Sequence, residues 1–110
     1  MEEYIKLEKE DFLKIIERYK QKGFEYGKPL EYLCFRNNIK KEDFERDLLL
    51  LENVKLIFKQ IRNFEVRYLL YFIYSKRKGR AYVIKFTDKI RIITVFPLGR
   101  RTLKKYIKKV

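Results

Sequence analysis

Apolar positions recur at helical spacing through the first half of the chain and alternate through the second. Residues 9–22, KEDFLKIIERYKQK, bring Phe12, Ile15, Ile16 and Tyr19 onto one side of a helix, and Gly23 supplies a stop. FEYGKP breaks the period, and Pro29 then suits the first position of a short helix, PLEYLCFR, with Leu30, Leu33 and Cys34 on one side. Asn37 and Asn38 read as a turn. A third helix runs from about Lys40 to Glu52, with Phe44, Leu48 and Leu51 as its stripe. Glu42 and Asp43 occupy its first turn, where the helix dipole favours acids.

From Val54 the period shortens. VKLIFKQI alternates Lys55 and Lys59 with Leu56 and Phe58 and reads as an edge strand. After Asn63 comes the longest strand candidate, FEVRYLLYFIY; SKRKGR then reads as a hairpin loop with Gly79 at the permissive position. AYVIKFT and IRIITVF form the next hairpin across Asp88-Lys89, and Pro97 and Gly99 end the sheet. The tail RRTLKKYIKKV puts Leu103, Tyr106, Ile107 and Val110 on one helical face. The pattern therefore predicts one α+β domain over residues 1–110, with N-terminal helices on a roughly four-stranded antiparallel sheet and a basic C-terminal helix.

Register follows from the loops. With a four-residue turn at Lys76–Gly79 and a two-residue turn at Asp88-Lys89, one face carries Phe64, Val66, Tyr68, Leu70, Phe72, Tyr74, Val83, Ile90, Ile92 and Phe96. This is the expected core face. Glu65, Arg67, Leu69, Tyr71, Ile73, Tyr82, Ile84, Phe86, Arg91, Ile93 and Val95 fall on the other. A change of one residue in either loop exchanges the faces. So apolar a second face calls for a cover, a homodimer partner or another bound protein.

Charge divides the chain at the same place as the periodicity. Residues 1–53 carry 11 basic and 13 acidic side chains, and residues 54–110 carry 17 basic and 2 acidic. Hydrophobic residues make up 46% of the chain, which favours a folded domain over a disordered basic tail. Such asymmetry points to an anionic partner, nucleic acid or an anionic membrane surface. The apolar face of the tail is short for a membrane, which favours nucleic acid, RNA first with DNA as the alternative. Lys76, Arg77, Lys78, Arg80, Arg100, Arg101, Lys104 and Lys105 are the candidate phosphate contacts, with interleaved tyrosines available to stack on bases. The bland reading is a solvated surface that aids solubility.

The chain contains no histidine, which rules out a Ser-His-Asp triad, a Cys-His pair and paired-histidine RNA cleavage within it. Neither a glycine-rich phosphate loop nor a concentrated set of metal ligands is visible, so no cofactor or metal is expected. Cys34, between Leu33 and Phe35, reads as a buried structural residue, and a single cysteine sets a cytoplasmic expectation. The N-terminus has no apolar leader pattern and no run is long enough to span a membrane. Abundant Lys, Glu, Ile and Tyr resemble thermophile usage. A helix-turn-helix reading of residues 30–52 meets a recognition helix with 3 basic and 5 acidic residues, which phosphates would repel.

The stretch from Arg36 to Tyr106 resembles the RelE-like superfamily of small toxins, its BrnT-like branch in particular. The resemblance is carried by Ile39-Lys40-Lys41-Glu42-Asp43 before a helix, by the strand Arg91–Pro97, RIITVFP, and by the basic segment after it. It implies a metal-independent endoribonuclease in which the RNA's own 2′-hydroxyl attacks, with Arg, Lys, Tyr or Glu in place of histidines. It further implies an acidic protein antitoxin as partner. The chain departs from the group in lacking an early-helix histidine and in carrying the extra helix 9–22. On this reading Arg67, Arg91 and Arg80 neutralise phosphate, and Tyr71 or Tyr82 stacks or moves a proton. Its alternative is a non-catalytic DNA- or RNA-binding module or a protein-interaction domain, with Arg67 and Arg91 merely paired to Glu65 and Asp88.

Overall fold

The alternating half of the chain folds into a four-strand antiparallel meander, and the computed structural model, which describes residues 2–107, adds a strand to each of its edges. The elements run β1 (Glu2–Lys6), α1 (Lys9–Ile16), β2 (Phe24–Tyr26), α2 (Leu30–Asn37), α3 (Lys41–Leu50), β3 (Val54–Arg62), β4 (Glu65–Ser75), β5 (Lys78–Phe86), β6 (Ile90–Pro97) and α4 (Arg100–Ile107). The sheet order is β1-β3-β4-β5-β6-β2; only β2 is parallel to its neighbour. The α+β class holds, with six strands where the pattern predicted four. The two extra strands are too short to show alternation: β1 has five residues, three of them charged, and β2 only three. Their pairing with β3 and β6 makes them strands. Consequently β3 is an interior strand, flanked by β1 and β4.

The predicted helix 9–22 ends early. After Ile16 the bonds shorten, Tyr19 N–H to the Ile16 carbonyl and Lys22 N–H to that of Tyr19, giving a 3₁₀ turn at Lys20–Lys22 that stops at Gly23, φ 91°. This turn lays the Tyr19 ring on Phe86, centroids 4.4 Å apart. In α3, the Asp43 carboxylate accepts the Lys40 backbone N–H at 3.0 Å, capping one of the donors that a helix start leaves unsatisfied. The same bond, together with Arg46, holds the Asp43 carboxyl below the usual carboxylate range.

Two loop lengths differ from expectation, and the longer β5–β6 loop together with a bulge in β4 reassigns the faces. The β4–β5 turn is Lys76-Arg77, with Ser75 opposite Lys78, and the β5–β6 turn is Thr87–Lys89, with Phe86 opposite Ile90. Going from four residues to two keeps parity, but a bulge at Tyr74, between the Ile73–Gly79 and Ser75–Lys78 pairs, reverses it. So β5 turns over: Tyr82, Ile84 and Phe86 face the helices and Val83 faces away, and the three-residue Thr87–Lys89 turn brings Ile90 and Ile92 back inward. A bulge at Ile93 then reverses the end of β6, sending Val95 into the core and Phe96 out. Of the β4 assignment, Tyr68, Leu70 and Phe72 are inward and Tyr74 is half-buried, whereas Phe64 and Val66, at the turn end of the strand, are exposed. Ile90 and Ile92 are inward as expected. Phe12, Ile16, Leu33, Phe44, Leu48 and Leu51 pack on this face in one continuous core.

Gly79 lies within β5, opposite Ile73, and is not a turn residue. A Cβ there would sit 2.8 Å from the Leu103 side chain and 2.8 Å from the Phe72 carbonyl oxygen, so the missing side chain is what lets α4 close on the sheet. Leu103 is accordingly buried, on the face away from the other three helices. Of the apolar residues that prompted the homodimer expectation, Leu69, Tyr71 and Ile93 are half-buried, whereas Tyr82, Ile84 and Val95 turn into the core. Of the tail face, Val110 lies outside the described residues, as do Lys108 and Lys109. No described helix is long and apolar enough to cross a membrane.

Candidate nucleic-acid interface

The sheet's two ends and its interior treat the basic residues in three different ways. At the β4–β5 end, Lys76, Arg77 and Lys78 are exposed in and beside the turn. The Leu98 N–H bonds the Gly79 carbonyl at 2.9 Å and Leu103 docks over Gly79, so α4 starts beside that turn with Arg100, Arg101, Lys104 and Lys105 exposed. Among the described residues, no carboxylate pairs with Lys76, Arg77, Lys78, Arg100, Arg101 or Lys104. The first turn of α4 has no acid and two arginines, the reverse of what the helix dipole favours. Repulsion of this kind is relieved by a bound polyanion.

At the opposite end, a polar row crosses the second face. Gln60 stands opposite Arg67, and Lys85 lies between Arg67 and Arg91, with Glu25 beyond. Here the charges are answered. Glu65 accepts from Arg67 Nε and from Lys85 Nζ, both at 3.1 Å, and these bonds hold its carboxyl below the ordinary glutamate range. Arg91 lies 3.7 Å from Glu25, which also accepts the Thr87 hydroxyl at 2.6 Å. The expected Arg67–Glu65 pair is therefore present, whereas Arg91 pairs with Glu25 in place of Asp88. A cavity of about 220 Å³, lined by Gln60, Arg62, Asn63, Glu65 and Arg67, opens beside the row.

In the interior, Asp47 of α3 gathers a cluster that the pattern analysis missed. Its Oδ2 accepts the Tyr74 and Tyr82 hydroxyls, each at 2.5 Å, and Arg80 Nη2 at 3.0 Å. Arg80 Nε reaches the Tyr74 oxygen at 3.2 Å, and its guanidinium lies over the Tyr74 ring, 4.5 Å from the centroid. Arg80 is 6% exposed. Burial, then the neighbouring carboxylate, pushes both phenols well above the tyrosine range, so they stay protonated and donate. A signal existed: Asp47 sits three residues after Phe44 and one before Leu48, inside the apolar stripe, and Arg80 shares parity with Tyr82 and Ile84. A lone acid and a lone base on two faces of one core invite pairing.

Arg80 is thus corrected from a phosphate contact to a buried partner of Asp47, and Tyr82 from an open-face group to a fully buried one. Tyr71 and Arg67 share the second face but stand four residues apart on β4, roughly 13 Å at strand rise. Its ring meets Phe58 edge-on, centroids 6.3 Å apart. Arg67 and Arg91 are two strands apart, roughly 10 Å. The four candidate catalytic groups, Arg67, Arg91, Tyr71 and Tyr82, are not brought to one point. Cys34 is half-buried, and burial pushes its thiol up, consistent with a packing role. Among the described residues no cluster of three or more acids or cysteines could hold a metal ion. No family model, curated protein or solved structure matches the chain.

Proposed function

We propose that the chain binds nucleic acid, RNA ahead of DNA, through the basic end formed by the β4–β5 turn and α4. The observation that carries this reading is the tertiary meeting of Lys76, Arg77 and Lys78 with Arg100, Arg101 and Lys104, six exposed cations with no carboxylate paired to them among the described residues. Phosphates release counterions when they meet such a surface, and this sequence-independent term supplies most of the affinity. The turn is held by the hairpin and α4 by Leu103, so the cations need little ordering on binding. The RelE-like motifs in residues 36–106 direct the choice toward RNA. They also bring the ribonuclease and antitoxin expectations, but the scatter of Arg67, Arg91, Tyr71 and Tyr82 over two faces supports binding without cleavage.

Fluorescence anisotropy with a labelled single-stranded RNA over a salt series tests the proposal. The logarithm of the binding constant should fall linearly with the logarithm of salt concentration, by about 0.7 per neutralised phosphate. A flat response, or equal binding by a variant with Arg100→Glu and Arg101→Glu, removes the reading. The same RNA run on a denaturing gel after incubation without metal should remain intact; cyclic-phosphate ends lost in Arg91→Ala would restore the ribonuclease reading.

A further inference from the structure

The β3–β4 turn holds a feature that the basic end does not explain. Arg62 pairs with Glu65 across the strands, leaving Asn63 and Phe64 as a two-residue turn with φ of 50° and 66°. Positive φ at both central residues is the pattern in which asparagine followed by glycine is preferred. Asparagine is present, but a phenylalanine fills the glycine position, where a bulky side chain is strained. Its ring is fully exposed, at 104% of the reference area. The residue therefore costs conformational strain and gains no burial in return. Strain of this kind is retained where a function depends on the side chain.

At the same turn opens the cavity lined by Gln60, Arg62, Asn63, Glu65 and Arg67, whose lining includes both chain neighbours of Phe64. Lys85 joins its edge through Glu65. Register also puts Glu2 of β1 opposite Arg62, so three cations, Arg62, Arg67 and Lys85, stand against two acids, Glu65 and Glu2, and one net positive charge remains. An aromatic face that water alone covers, next to guanidinium groups in a small cavity, matches the two halves of a nucleotide. The ring stacks on a base, and the guanidinium groups take the phosphate, Arg67 through the N–H donors that its Nε and Nη2 bonds to Glu65 leave over.

We propose that the β3–β4 turn is a second contact for a single strand, with Phe64 stacked on an unpaired base and Arg62 and Arg67 on its phosphate. This rests on the nucleic-acid reading above and adds selectivity for unpaired bases, since those of a duplex are already stacked. The two contacts lie at opposite ends of β4, eleven residues long, or roughly 35 Å at strand rise. A strand engaging both must cross the second face of the sheet.

Anisotropy with three probes separates the claims: labelled oligouridine, an abasic oligomer of equal length, and duplex RNA. Phe64→Gly is the deciding variant, because glycine suits the turn and should raise the melting temperature, so weaker binding cannot come from unfolding. We expect it to weaken oligouridine binding about tenfold or more while leaving the abasic and duplex probes unchanged. Oligouridine bound equally by Phe64→Gly and the parent protein would overturn the stacking site and leave the basic end standing. Failure of the parent protein to bind any probe would overturn both. Sedimentation of the parent protein, but not the variant, with phosphatidylserine vesicles would reassign the ring to a membrane surface and overturn the proposal.

Discussion

Arg77 and Arg80 stand three residues apart in one basic turn, yet the first lies in water at the tip of the β4–β5 hairpin and the second is closed beneath α3. The turn is a region where the fold leaves charge unanswered. The interior just behind it is one where every polar group in the cluster has a partner: Asp47 to two phenols and a guanidinium, Arg80 to Asp47 and Tyr74. The difference teaches that basic density in a sequence does not map directly onto a basic surface. Buried charges are tolerated only when paired and hydrogen-bonded, so an inward-facing arginine acts in folding and leaves binding to its exposed neighbours.

The comparison can be broken most directly at Asp47. Asp47→Ala should lower stability by about 3–5 kcal/mol, because it leaves the Arg80 charge buried and two phenols without an acceptor. Arg77→Ala should stay within about 0.5 kcal/mol of the parent. Urea denaturation measures both, and similar midpoints for the two variants would erase the distinction between turn and interior.

Gly79→Ala is the next largest. A methyl group at 2.8 Å from both Leu103 and a strand carbonyl forces α4 or β5 to shift, at a cost of about 1–3 kcal/mol. Because α4 carries half of the basic end, RNA affinity should fall with stability, and trimming Leu103 to Ala in the same chain should relieve only the side-chain half of the clash, since the Phe72 carbonyl stays in place. A Gly79→Ala protein as stable as its parent would show that α4 does not depend on this close approach.

Charge reversal at Arg100 and Arg101 sharpens the other side. It should weaken RNA binding by about tenfold at low salt, an effect near 1.4 kcal/mol, with the urea midpoint unchanged. Glutamates in the first turn even suit the helix dipole, so lost affinity would reflect lost cations.

The smallest effect belongs to the polar row. The Glu65 carboxyl is lowered by hydrogen bonds from Arg67 and Lys85. Its stabilising contribution is therefore present above the titration range of an unfolded glutamate and fades as pH falls through the lower folded value. A side-chain NMR titration should find its midpoint below the ordinary glutamate range in the parent and higher in Arg67→Ala. An unmoved midpoint would mean the Arg67–Glu65 bond contributes nothing measurable, as many exposed pairs do.

The sequence by itself determined the class of the fold, three of its core helix stripes, the inward set of β4 and the concentration of charge in the second half. Each of these is local: an apolar period of about 3.6 or 2, or a run of like residues, survives without knowledge of what packs against it. It also named Lys76, Arg77, Arg100 and Arg101 as candidates, but could not say that the turn and α4 meet. That depends on Gly79 admitting Leu103, a contact between residues 24 positions apart in the chain. Tertiary structure likewise decided the faces of β5 and the end of β6. One loop and two bulges set their parity, and a single residue reverses every side chain downstream. Strands β1 and β2 needed partners to exist at all, being too short to declare themselves. The destiny of Arg80 followed from the same parity: once β5 turned inward, Asp47 was the acid within reach.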